Sequence, residues 1–182
     1  MHRALASLVL LAAVPALAHA TPPVRLSSDR AAISGLLPGA GKHFVREVRL
    51  DAADRRTIQQ KIGWTPDENV YRFYVGRDAA GTQVGAVVVM TEYTAHGLVR
   101  AAVGLAPDGK VKGVTVTEVG EETWPWVKQL VDGGYLRSFE GRDAADAKPE
   151  AGGSSMVRFY GRVIAGLVKK AGAVHEVGQV AH

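Results

Sequence analysis

The chain contains no cysteine. No disulfide, iron–sulfur cluster or thiolate zinc site can form, and a cysteine nucleophile is excluded. Aromatic residues make up only 7% of the 182 positions, too few to furnish a long sugar-binding cleft. Neither sign of charge dominates. Lys and Arg number 22 against 18 Asp and Glu, and the basic residues are scattered. The clustered positive charge expected of a nucleic-acid-binding domain is therefore missing. The serine-hydrolase pattern G-x-S-x-G is absent as well.

One hydrophobic run stands out. Ala4 to Ala18 spans 15 residues behind a short basic start at His2 and Arg3. A membrane-spanning helix needs about 20. Ala18 and Ala20 place small residues where a signal peptidase reads, and no Cys follows to carry a lipid. Residues 1–20 are expected to be a signal peptide leading to the periplasm; a retained anchor helix is the other reading. No second run of this kind occurs, so membrane association is expected only through a partner. What remains is long enough for one domain with its own core.

Residues 21–42 are rich in Pro, Gly, Ser and Ala and are expected to form a flexible tether, with Ala31 to Leu37 as a short docking turn. A single domain is expected over residues 43–171. His43 to Leu50 alternates like a first strand. Asp51 offers an N-cap for a helix that places Ile58 and Ile62 on one face and stops at Gly63. Tyr71 to Val75 reads as a strand, and Val84 to Thr91 as an apolar strand at the centre of a sheet. From Leu98 the period-2 pattern resumes, and Pro107-Asp108-Gly109 supplies the turn of a hairpin whose second strand carries Val111, Val114 and Val116. Val127 to Gly133 suits a short helix, and Leu136 and Phe139 suit core anchors. Ser154 or Ser155 then caps an amphipathic helix with Met156, Phe159, Tyr160, Val163, Leu167 and Val168 at helical spacing. Residues 172–182 are expected to be a loose tail. The pattern as a whole predicts an α+β fold, a twisted and mainly antiparallel sheet with helices packed on it.

The stretch DGKVKGVTVTEVGEE, followed by GYLRSFEGRD and preceded by EYTAHGLVRAAVGLAPDG, resembles the FMN-binding domain of bacterial electron-transfer proteins. That family comprises extracytoplasmic flavin subunits of ion-pumping redox complexes and smaller secreted relatives. The likeness covers Val70 to Arg142 and continues more weakly to Lys170. It implies an FMN-binding-domain-like fold, FMN as cofactor, and a membrane-bound redox partner for a periplasmic electron carrier. It also implies site residues: His96 beside the flavin, Glu122, Thr123 and Trp124 along the isoalloxazine ring, and Ser154 and Ser155 at the phosphate end. In the family, a Thr at the start of the last helix carries FMN through a phosphoester. The ungapped alignment puts Val157 there, and valine has no hydroxyl. A two-residue shift would bring Ser155 onto that position. The flavin is accordingly expected to be held non-covalently.

Each of these residues also has a plainer reading. His96 suits a surface loop. Glu118, Glu121 and Glu122 suit a solvated rim; a metal loop would carry more Asp and Asn, and a glycosidase pair lacks a cleft. Trp124 and Trp126 can cap the core, and Ser154 and Ser155 can simply cap the helix. Two further functions follow from these readings: a flavin-free relative acting as a docking module in a redox assembly, and, more remotely, an unrelated secreted hydrolase.

Overall fold

A computed structural model of the chain describes residues 22–146 and 150–180. The proposed signal segment, residues 1–20, lies outside the described residues. Six strands form one open, twisted antiparallel sheet: β1 (Val24–Arg25), β2 (Lys42–Arg49), β3 (Val70–Arg77), β4 (Gln83–Thr94), β5 (Gly97–Leu105) and β6 (Val111–Val119). Their order is β1-β6-β5-β4-β3-β2. Four helices accompany them: α1 (Asp29–Leu36), α2 (Ala52–Ile62), α3 (Trp124–Asp132) and α4 (Ser155–Val180). Two 3₁₀ turns, Tyr135–Phe139 and Ala144–Asp146, link α3 to α4. The fold is α+β, as the pattern predicts.

Local chemistry accounts for most of these elements. The Asp51 carboxylate accepts the N–H groups of Ala53 and Asp54, and Asp54 answers at the N–H of Asp51. These bonds hold the Asp51 carboxyl below its ordinary range. Gly63 closes α2 in the left-handed region at φ 71°, which costs glycine nothing. The Pro107-Asp108-Gly109 turn joins β5 to β6, Val103 facing Val114 across the hairpin. In β4, Ala86, Val87 and Val88 are all buried, so this interior strand is covered on both faces.

The two faces are covered unequally. On one, α4, α2 and α3 enclose the main core, which includes Phe73, Val88, Val103, Val116, Phe139, Tyr160 and Ile164. On the other, α1 alone packs Ala32, Ile33 and Leu36 against Val87 and Ala102. Its seat is made by two glycines opposite one another, Gly104 on β5 and Gly113 on β6. A Cβ on Gly113 would lie 2.8 Å from Leu36 Cδ2, and one on Gly104 would lie 3.1 Å from Leu36 Cβ. The missing side chains let the helix come close.

Two expectations need correction here. Residues 24–36 of the expected tether form β1, hydrogen-bonded to β6, and α1, capped by Ser28 and docked on the sheet. The expected loose tail continues α4 through Val180, with Ala173, Val174 and His175 buried. In both cases the contacts that order the segment come from strands distant in sequence.

Candidate functional site

The residues singled out from the sequence fall into two groups at different heights along α4. The first gathers around Tyr160. The β4–β5 turn presents His96, and the β6–α3 loop presents Glu122 and Thr123. His96 Nδ1 lies 3.5 Å from Glu122 Oε2. Thr123, which begins α3 without capping it, turns inward and donates its hydroxyl to His96 O at 2.8 Å. It is wholly buried. Thr94 does the same for Gly97 O at 2.8 Å, and both threonine oxygens lie within 3.2 Å of the Tyr160 hydroxyl. Proton counting fixes the roles. Two of the three hydroxyl protons go to backbone carbonyls, leaving only that of Tyr160 for the two threonine oxygens. The network pins the His96 turn to α3 and α4, and leaves no buried side-chain polar atom unpaired among the described residues.

The aromatic partner of His96 is Trp126. Trp124 sits at the start of α3, where Lys128 Nζ lies 5.9 Å from its ring centre. Trp126, two residues on, meets His96 edge-on at 5.5 Å and stacks on Tyr160. Phe159 continues the row at 5.1 Å from Tyr160 and reaches solvent. Trp126 and Tyr160 are thus the members of this group that the pattern left among core positions. The available signal was the hydroxyl of Tyr160, since a buried Tyr on an apolar helix face needs a polar partner. The indole fills the space between His96 and Tyr160 where a second ring would otherwise stack.

The second group lies at the start of α4. Ser154 accepts the Val157 N–H at 3.3 Å, so it caps the helix; both Ser154 and Ser155 are exposed. They stand about 9 Å along the helix axis from Tyr160, at 1.5 Å per residue, and no hydrogen bond joins the two groups. Val157 is buried, packed against Gly153. Beside it opens a concavity of about 590 Å³ between α3, the Tyr135 turn and the loop before α4. Its lining includes Gly133, Gly134, Tyr135, Arg142, Gly152 and Val157. The Tyr135 hydroxyl donates to Gly161 O at 2.8 Å, and burial pushes its pKa well up, so it stays neutral. Arg142 makes no ion pair among the described residues, while Glu150 adds a negative charge at the rim.

The two groups differ in the room they leave for a planar, phosphate-bearing ligand. Around His96, Trp126 already occupies the stacking position. At Val157 no phosphoester can form. The concavity beside Val157 has a volume suited to a flavin-sized ligand. It also combines a guanidinium with the N-terminal end of a 26-residue helix, both favourable to a phosphate. No cluster of three His, Asp or Glu able to hold an ion occurs among the described residues. No protein-family model, curated protein or solved structure matches the chain.

Proposed function

We propose that the chain is a periplasmic FMN-binding electron-transfer protein serving a membrane redox system, with its flavin held non-covalently. The observation that supports this reading is the 590 Å³ concavity at the start of α4, where the sequence likeness puts the phosphate end of FMN. Bound there, FMN would supply one- and two-electron chemistry at its isoalloxazine ring. The chain's own residues would bind and orient it. Arg142 and the first N–H groups of α4, with Ser154 and Ser155, would take the phosphate. Tyr135, fixed by its bond to Gly161, would form a wall, and Gly133, Gly134 and Gly152 would let the backbone approach. No helix among the described residues is long and apolar enough to cross a membrane, so a membrane-bound partner would be met through the protein surface.

A second reading, a flavin-free docking module in a redox assembly, is favoured by Trp126. Its indole closes the region where His96, Glu122 and Thr123 would otherwise line a flavin. Titrating FMN into the purified full chain separates the two. The first reading expects saturable quenching of flavin fluorescence, a raised melting temperature, and weaker binding by Arg142→Ala. Unchanged fluorescence and melting at saturating FMN would sink it in favour of the docking module.

A further inference from the structure

Among the described residues, the β2 edge of the sheet is left without a neighbouring strand along its length. β2 pairs with β3 from Lys42↔Arg77 to Arg49↔Val70, and no strand among the described residues pairs with its other side. Leu50 N–H donates to Asn69 O, immediately beyond the Arg49↔Val70 pair. In an antiparallel ladder the backbone groups alternate in direction. Val48, Arg46 and Phe44 therefore turn theirs toward β3, while His43, Val45, Glu47 and Arg49 turn theirs outward.

The helices stop short of this corner. α4 reaches β2 at Arg46, whose guanidinium bonds Gly178 O, and at Val48, packed against Gly178. Beyond that point Phe44 and Val45 point to opposite faces of the sheet, 49% and 59% exposed. Natural edges are commonly shortened, bulged, interrupted by proline or lined with charge to prevent pairing. The eight residues of β2 are neither short, bulged nor broken by proline, and of these devices carry charge alone.

Charge indicates what fits. Lys42, Arg46 and Arg49 lie on β2, and Arg72 and Arg77 stand behind them on β3. Against these five cations is one carboxylate, Glu47, shared by Arg49 and Arg72. A second copy paired edge to edge would bring the same cations together, which disfavours it. We propose that β2 is a docking edge for an extended acidic segment of a partner protein, added as a seventh strand. Its outward backbone groups would make the ladder. Phe44 and Val45 would pack on apolar residues of that segment, one on each face, and its Asp or Glu residues would face Lys42, Arg46 and Arg49.

The test uses the full chain and a fluorescein-labelled peptide of seven residues, with Val at two adjacent central positions, one for each face, and Glu or Asp at the others, beside a counterpart with Lys at the acidic positions. Fluorescence anisotropy should show binding of the acidic peptide about tenfold or more tighter than the basic one, from two or three opposite-charge pairs. The amides of Val45, Glu47 and Arg49 should gain protection from hydrogen exchange. Val45→Pro removes an outward N–H that the protein's own sheet does not use, so it should abolish binding with the thermal transition retained. Lys42→Glu should weaken binding about two- to fivefold. Equal binding of both peptides would overturn the proposal. So would no binding by a folded wild-type chain, or a dimer in sedimentation that protects the same amides. The last result would give the edge to a second copy, and the middle one would leave its cations as a guard against pairing.

Discussion

Trp126 lies flat against Tyr160, their ring centroids 5.7 Å apart and their planes within 10° of parallel. The stack fixes the Tyr160 ring, and the hydroxyl at its tip holds the threonines that restrain the His96 turn. Tyr160→Phe removes the one proton those threonine oxygens share. The expected cost is about 1–2 kcal/mol in urea unfolding, the value of a buried hydrogen bond left unmade. Backbone amides at His96 and Gly97 should exchange faster. An unchanged midpoint would mean that the threonines hold the turn by themselves.

Two glycines in α4 should respond to alanine with opposite signs. Nothing lies within 4 Å of a Cβ built on Gly166, so Gly166→Ala should stabilise the protein by about 0.5–1 kcal/mol through helix propensity. A Cβ on Gly172 would stand 2.3 Å from Ala144 Cβ, which sits in a buried turn. There overpacking, about 1–3 kcal/mol, should outweigh the same propensity gain. Thermal unfolding of the two variants side by side checks both signs.

Acid should weaken the fold through His175. Desolvation first, and Arg46 second, lower its pKa from the ordinary 6.5, with Glu176 opposing them weakly. Between that lowered value and 6.5 the unfolded chain binds more protons than the folded one. The contribution is therefore fully present above pH 6.5 and is lost as pH falls through that window. His175→Gln should flatten the fall in melting temperature between about pH 7 and about pH 5. An identical slope in the variant would assign the acid sensitivity to other groups.

If the chain carries FMN, acid precipitation should release it. Val157 offers no hydroxyl, and Ser154 is engaged in capping α4. Protein co-expressed with a flavin transferase should lose its yellow colour to the supernatant and show the unmodified intact mass. Retention of one FMN mass through acid would place a covalent bond on another hydroxyl, Ser155 being the first to map.

Elements written in local chemistry could be read directly from the chain. The Asp51 cap, the Gly63 stop, the Pro107-Asp108-Gly109 turn and the apolar run of β4 each carry their cause within a few residues. β1 and α1 do not. Their order depends on Gly104 and Gly113 facing each other across two strands, a juxtaposition invisible until the register is known. The C-terminal end of α4 was obscured by Gly172 and Gly178, which weaken a helix pattern yet are required by Ala144 and Val48 packed against them. In the site, His96, Glu122 and Thr123 come together because the β5–β6 hairpin carries their two loops at its open end. That Trp126 and not Trp124 faces His96 follows from the angular phase of α3, set by where that helix begins.

The position of α4 in the chain bears on how the protein is made. The broad apolar face of the sheet, carrying Phe73, Val88, Val103 and Val116, is covered by a helix synthesised only after every strand has emerged. Until residues 155–180 leave the ribosome, a nascent chain has only α2 and α3 to cover part of that face. It stays unsettled and prone to self-association, a client for holding chaperones.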